Sequence, residues 1–135
     1  MTYVVLDTNI LVSALYSGLL KGKPAELLDL CMAQRYAVVY TQEILSEYEA
    51  VLMRPKFGFD ASDVRMLLSF FEFKAHSADP LFDSLSRPQC ADPDDQKFYD
   101  AAMCWDALLV TGNKKHFPND KRVLTPAEFF DHRIA

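Results

Sequence analysis

The chain has 135 residues, of which 50% are hydrophobic, 24% are charged and four are glycine. This composition excludes a disordered protein and predicts a single domain, residues 1–135, with a hydrophobic core. No apolar run approaches the roughly 20 residues of a membrane span, and the N-terminus lacks the features of a signal peptide. We therefore expect a cytoplasmic protein without membrane contact. The three widely spaced cysteines argue against a disulfide framework or a zinc site.

The net charge of −5 argues against an extensive nucleic-acid surface, because phosphate binding normally leaves a basic region. Two features weaken this objection. Several acids could belong to one site that a cation neutralises, and basic residues occur locally in pairs, each of which is also typical of solvated surface. The pairs are Lys21/Lys23, Arg54/Lys56, Lys114/Lys115 and Lys121/Arg122.

Short apolar runs alternate with helical segments along the whole chain. Strands are predicted at 3–6, 37–40, 73–76, 107–111 and 122–124. Helices are predicted near 10–17, 24–34, 41–53, from 60 onward, 93–104 and from 126, the last opened by a capping box of Thr125 and Glu128. Strands that alternate with helices pair in parallel. The prediction is a three-layer α/β/α sandwich with a central, mostly parallel sheet.

A charged residue, Asp7, directly follows the first strand in the segment YVVLDTNILV. Sites in parallel sheets collect at the carboxyl ends of the strands. Thr111 and Asn113 leave the fourth predicted strand, so they would share a crevice with Asp7 if the two strands are neighbours. At this position Asp7 is either a cap for the next helix or a metal ligand.

Two further acids can reach the same edge of the sheet. Glu47 borders the apolar stripe of the helix after the second strand, where it needs either a basic partner or a cation. In the segment DPDD, Asp92 can cap a helix and the following acids favour its N-terminus. Asp95 lies on one helical face with Phe98 and Ala102, which directs it towards the sheet.

Carboxylates that converge from separate elements repel each other unless protons or cations intervene. A set of hard oxygen ligands without histidine or cysteine suits Mg²⁺ or Mn²⁺. Such ions commonly activate water for displacement at phosphorus. The residues themselves therefore indicate a possible divalent-metal site with phosphate chemistry, and no more.

The sequence resembles the PIN-domain family, in particular the toxins of bacterial type II toxin–antitoxin systems (VapC-like ribonucleases). The resemblance covers nearly the whole chain. It rests on five segments in order: VVLDTNILVSAL, ILSEYEAVLMRPKF, DPDDQKFYDAA, ALLVTGNKKHFP and VLTPAEFF.

This resemblance implies a ribonuclease that depends on Mg²⁺ or Mn²⁺, cleaves single-stranded RNA, forms a homodimer and is inhibited by a cognate antitoxin protein. Asp7, Glu47 and Asp95 correspond to the catalytic metal ligands. The expected supporting residues are Thr8, Asn9, Asp92, Asp94, Thr111 and Asn113. The basic pair nearest the crevice, Lys114 and Lys115, is expected to meet substrate phosphate.

The chain departs from the family pattern at Asn113, where many PIN domains have a fourth acid. A neutral amide there weakens the expectation of a second metal more than that of the first. Two alternatives remain open at this stage. One is a non-catalytic PIN-like module that binds RNA or an antitoxin. The other is a haloacid-dehalogenase-type phosphotransferase, which needs a second aspartate where this chain has Asn9.

Overall fold

The structure is a computed structural model that describes residues 2–17, 22–77 and 88–134. The described residues form six α-helices and five strands. In chain order they are β1 (Tyr3–Leu6), α1 (Thr8–Ser17), α2 (Lys23–Met32), β2 (Ala37–Tyr40), α3 (Gln42–Leu52), α4 (Ala61–Lys74), β3 (His76–Ser77), α5 (Gln96–Trp105), β4 (Leu108–Val110), β5 (Val123–Leu124) and α6 (Pro126–Ile134).

The strands form one parallel sheet in the order β3-β2-β1-β4-β5. The predicted α/β architecture with a parallel central sheet is confirmed. β1 lies between β2 and β4, which makes it the central strand and fully buries Val4, Val5 and Leu6. The carboxyl ends of β1 and β4 are therefore adjacent, as the crevice at Asp7 requires. No helix in the described part of the chain is long and apolar enough to cross a membrane.

Several element boundaries differ from the sequence-based prediction. Helix α1 begins at Thr8, directly after Asp7, rather than near residue 10. The predicted third strand at 73–76 is wrong for its first part, because α4 continues through Lys74 and pairing begins at His76. A 3₁₀ turn, Pro93–Asp95, precedes α5, so this helix begins three residues later than predicted.

Local sequence signals set several helix starts as expected. The side-chain oxygen of Thr41 accepts the N–H of Ile44, and that of Asp60 accepts the N–H of Ser62. At α6, Thr125 and Glu128 exchange side-chain and backbone hydrogen bonds, which confirms the capping box. These caps satisfy N–H groups that the first helical turn leaves without partners.

One buried hydrogen bond joins the core directly to the end of β1. The hydroxyl of Tyr48, on α3, donates to the carbonyl oxygen of Leu6 at 2.5 Å. The ring of Tyr48 is fully buried and contacts those of Phe71 and Phe98, with centroids at 4.9 Å and 6.4 Å. This bond fixes the distance between α3, which carries Glu47, and the backbone that leads into Asp7.

We expect Tyr48→Phe to lower the free energy of unfolding by about 1–2 kcal/mol, because it removes a buried donor from a carbonyl while keeping the ring. Chemical denaturation measures the loss. Tyr16→Phe is the matched control, since Tyr16 is 59% exposed and the same change there should have little effect. Equal stability of the Tyr48 variant and the wild type would contradict a structural role for this bond.

Candidate metal and phosphate site

A cavity of about 310 Å³ lies at the carboxyl end of β1. The first turn of α1, helix α3, the loop after α3 and the turn before α5 all contribute to it. Its lining residues are Asp7, Thr8, Asn9, Glu47, Val51, Arg54, Lys56, Phe57, Asp92, Asp95 and His116. The structure thus brings Asp7, Glu47 and Asp95 to one cavity, together with three of the expected supporting residues: Thr8, Asn9 and Asp92.

Asp7 is held by the neighbouring strand as well as by its own. Its N–H donates to the carbonyl oxygen of Val110 at 3.0 Å, and its Oδ2 accepts the hydroxyl of Thr111 at 2.7 Å. The same Thr111 oxygen accepts the N–H of Asn113 at 2.9 Å. Thr111 is fully buried and Asp7 is 6% exposed, so this carboxylate has a fixed orientation at the base of the cavity.

Burial raises the pKa of Asp7 above its ordinary value, and the negative charges of Asp95 and Glu47 act in the same direction. The hydrogen bonds from Thr111 and from the N–H of Thr8 oppose this rise without cancelling it. The protein therefore holds Asp7 where its negative charge is costly. A cation or a proton at this position would relieve that cost.

Glu47 is held by two partners. Its Oε2 accepts a short hydrogen bond from the hydroxyl of Thr8, and its Oε1 lies 2.8 Å from the ammonium of Lys97. The Glu47 side chain is 27% exposed and that of Lys97 is 12% exposed. Of the two partners expected for Glu47, a basic residue or a cation, the structure shows a basic residue, Lys97, which the sequence did not identify.

Asp95 is the acid with an oxygen that lacks a hydrogen bond. Among the described residues, its Oδ2 is the buried side-chain oxygen or nitrogen for which no hydrogen-bond partner exists. The nearest basic group is the imidazole of His116, whose Nδ1 lies 3.5 Å from this oxygen. Burial and the negative charge of Asp92 raise the pKa of Asp95, against the opposing effects of His116 and Lys97.

Other expected site residues lie at the margin or outside the cavity. Asp92 lines it but also caps the 3₁₀ turn, because its Oδ1 accepts the N–H of Asp94 at 2.9 Å. Asp94 and Asn113 are exposed. The ammonium of Lys114 pairs with Glu128 of α6 at 3.1 Å, whereas Lys115 lines a neighbouring cavity of about 390 Å³.

The site also contains residues that sequence reasoning did not assign to it. His116 has no metal-ligand spacing to another histidine in the sequence, and it lies beside Asp95. Arg54 and Lys56 were one of four basic pairs that could serve either a nucleic-acid contact or ordinary surface, and they line the cavity in place of Lys114 and Lys115. Their position in the sequence could have indicated this role, because Arg54 and Lys56 directly follow the helix that carries Glu47.

The donor set fits a hard divalent cation, although it is not a closed ligand cluster. Within residues 2–17, 22–77 and 88–134, no three His, Cys, Asp or Glu side chains converge closely enough to hold one ion. Mg²⁺ typically binds through one or two carboxylates and keeps several waters. Such an ion would give the Asp95 oxygen that lacks a hydrogen bond a ligand bond. It would also offset the unfavourable negative charge that the raised pKa of Asp7 indicates.

Comparisons with known proteins agree with this fold. The sequence model of the PIN domain matches residues 3–115. The uncharacterized protein MJ1680 of Methanocaldococcus jannaschii is 30% identical over 112 residues, which cover 82% of this chain and 70% of that protein.

A similar fold also occurs in the crystal structure of VapBC2 from Rickettsia felis bound to a DNA fragment from their promoter. The TM-score is 0.59 and the sequence identity is 18%, over 92% of this chain and 97% of that chain. At this identity the similarity shows the fold alone.

We expect Asp7→Asn to stabilise the metal-free protein at pH 7. A carboxyl whose pKa is raised by folding destabilises the folded state above its ordinary pKa of 3.8, and this penalty disappears at lower pH. Asparagine keeps an acceptor for Thr111 and carries no charge. The gain should be on the order of 1 kcal/mol at pH 7 and should vanish near pH 3.5, as measured by thermal melts in EDTA.

Asp60→Asn is the matched control, because it removes one negative charge from the same chain. The hydrogen bonds from Ser62 lower the pKa of Asp60, so its ionised form already suits the folded state. No gain is expected there. Equal stabilisation by both variants would show that the effect comes from net charge rather than from the cavity.

Proposed function

This chain belongs to the PIN-domain family, and on that premise we propose that it is a metal-dependent endoribonuclease that cleaves single-stranded RNA. The observation that carries the proposal is the cavity at the end of β1, where Asp7, Glu47 and Asp95 meet with an excess of negative charge. The proposed ligands of Mg²⁺ or Mn²⁺ are these three acids, one or two directly and the rest through bound waters, because no three such side chains in the described residues converge closely enough to hold one ion. The proposed site of action is the cytoplasm.

Each acid would contribute differently. Asp7 is fixed by Thr111 and offers a buried carboxylate of constant position. Asp95 offers an oxygen that the protein leaves without a hydrogen bond. Glu47 is oriented by Thr8, and Lys97 balances part of its charge. A bound divalent ion supplies charge neutralisation at phosphate and lowers the pKa of a bound water.

The supporting roles follow from the hydrogen bonds. Thr111 connects Asp7 to the backbone of Asn113, so the turn after β4 helps to orient the acid. Asp92 orients the turn that presents Asp95. Asn9 lines the cavity and is exposed, which leaves its amide free to contact water or substrate.

We also propose that the protein is the toxin of a toxin–antitoxin pair, with a cognate antitoxin as partner and a homodimer as its own assembly. The similarity in fold to a chain of the VapBC2 structure supports this proposal. So does a separate, mostly apolar cavity of about 410 Å³ between α1, α2 and α4, which the 66% exposed Met66 helps to line and in which a partner's side chain would be buried. Co-purification with the product of a small adjacent gene, together with the mass of the complex in solution, tests this partner assignment.

We expect cleavage of a single-stranded RNA oligonucleotide in Mn²⁺, no cleavage in EDTA, and a loss of at least about 100-fold in Asp7→Asn and Asp95→Asn, the size typical of a removed electrostatic contributor. The matched control is Asp60→Asn, which should cleave at the wild-type rate. The absence of metal-dependent cleavage in a folded wild-type protein that binds RNA would favour the non-catalytic alternative. EDTA-resistant cleavage would contradict a metal-dependent mechanism.

Substitution of Asn113 tests whether a fourth carboxylate would strengthen metal binding at the site. Asn113→Asp adds a carboxylate after β4, where the family often has an acid, and the exposed position should tolerate it. We expect cleavage to reach half of its maximal rate at a lower Mn²⁺ concentration in this variant, with unchanged thermal stability in EDTA. Superimposable metal titrations would show that Asn113 acts only as a turn residue.

A further inference from the structure

The loop after α3 contributes a basic and aromatic part of the cavity wall. Arg54, Lys56 and Phe57 line the same cavity as the acids. Pro55–Phe57 forms a 3₁₀ turn, which ends at Gly58 with a φ of 64°. A left-handed residue of this kind suits glycine and makes the loop reverse sharply. The turn therefore fixes the positions of Arg54 and Lys56 relative to the end of α3.

Charge pairing distinguishes these two cations from Lys97, His116 and Lys114, and Lys115 lines the neighbouring cavity instead. Lys97 is paired with Glu47, His116 lies against Asp95, and Lys114 is paired with Glu128. Arg54 and Lys56 are exposed, and in the part of the chain that the structure describes neither has a carboxylate within ion-pair distance. They are consequently the cations at this cavity that remain available to an anion from solution.

An aromatic cluster continues from this loop onto α1. The rings of Phe57 and Phe59 are stacked, with centroids 5.4 Å apart and an interplanar angle of 10°. Tyr16 contacts both edge to face, with centroids at 5.6 Å and 5.1 Å, and remains 59% exposed. The ammonium of Lys56 lies 5.1 Å from the centroid of Phe57. Basic and aromatic groups are therefore continuous from the cavity to the surface.

We propose that Arg54, Lys56 and the Tyr16–Phe57–Phe59 cluster form a subsite for one unpaired nucleotide next to the scissile phosphate. Arg54 and Lys56 bind its phosphate, and the exposed ring of Tyr16 stacks on its base. This inference rests on the proposed ribonuclease function and specifies where its substrate lies. Proteins that bind single-stranded nucleic acids generally combine positive side chains, which contact the phosphate backbone, with aromatic side chains, on which the bases stack.

The subsite also accounts for an acidic protein acting on an anionic polymer. A chain with a net charge of −5 cannot rely on long-range attraction, so its contacts with RNA must be few and local. A base inside a duplex is stacked on both faces and cannot reach a ring. The subsite therefore selects unpaired nucleotides without reading base identity.

The first arm of the test measures phosphate contacts by the salt dependence of binding. A labelled single-stranded RNA is titrated with Asp7→Asn protein in EDTA, which prevents cleavage. One neutralised phosphate predicts a log–log slope of the binding constant against salt of about −0.7 for a single strand. Arg54→Ala with Lys56→Ala should bring the slope close to zero. The control double variant, Lys74→Ala with Lys121→Ala, removes two exposed cations that do not line this cavity and should leave the slope unchanged.

The second arm measures stacking. Tyr16→Leu should weaken binding about tenfold, whereas Tyr16→Phe, which keeps the ring, should bind as the parent does. An oligonucleotide of abasic sites should bind equally to all three proteins. Because Tyr16 is exposed, the variants should fold, and thermal melts check this. Should Tyr16→Leu fail to fold, the comparison of the two oligonucleotides on the parent protein still measures the contribution of the bases.

The outcomes distinguish a failure of the nucleotide subsite from a failure of the proposed ribonuclease activity. An unchanged salt slope in the Arg54/Lys56 variant, or equal affinity for RNA and abasic strand, would overturn the subsite even if wild-type protein cleaves RNA. The predicted slopes and the ring dependence would support the subsite even if no metal-dependent cleavage were observed. Binding is measured without divalent metal, so it does not depend on the ligand assignment of Asp7, Glu47 and Asp95.

Discussion

The crowding of carboxylates at the carboxyl end of β1 is the constraint on which the rest of the site depends. Burial at the base of the cavity raises the pKa of Asp7, and the negative charges of Asp95 and Glu47, on two other elements, act in the same direction. Such an arrangement costs stability and persists only because the surrounding fold determines it. Thr111 holds Asp7 from β4, Thr8 holds Glu47 from α1, and Tyr48 connects α3 to the end of β1. A cation bound here would relieve the repulsion between the carboxylates, and the free energy gained in this way would add to its binding affinity.

Basic residues of the chain lie close to these acids, and their positions give the cavity an acidic side and a basic side. Lys97 and His116 lie against Glu47 and Asp95, so they belong to the acidic side. Arg54 and Lys56 leave α3 without carboxylate partners among the described residues and form a separate basic side. The proposed ribonuclease function needs both sides, because a metal cation would neutralise the non-bridging oxygens of the scissile phosphate and a neighbouring phosphate would need a positive contact of its own. This division reconciles phosphate chemistry with a net charge of −5.

The sequence was sufficient for the fold and for the placement of Asp7, Glu47 and Asp95 at one edge of the sheet, and insufficient for the partners of these acids. Alternating apolar runs and helical segments predicted the parallel sheet, and Asp7 could be placed because residues that leave neighbouring parallel strands meet at one edge. Glu47 could be placed because it borders the apolar stripe of α3. The pairing of Glu47 with Lys97 depends on how α3 and α5 pack, which no local pattern encodes. For the same reason Lys114 and Lys115 were expected at the cavity, whereas Lys114 pairs with α6 and Arg54 and Lys56 line the wall.

Metal binding without turnover tests the central claim most directly. The measurement is the shift in melting temperature with Mn²⁺ for the wild type, Asp7→Asn, Asp95→Asn and the control Asp60→Asn. A cation bound only to the folded state stabilises it by RT ln(1 + [L]/Kd), so the shift should grow with concentration. The wild type and the Asp60 variant should show equal shifts, and the Asp7 and Asp95 variants should show little or none. The same shift in all four proteins would contradict a cation site at the end of β1.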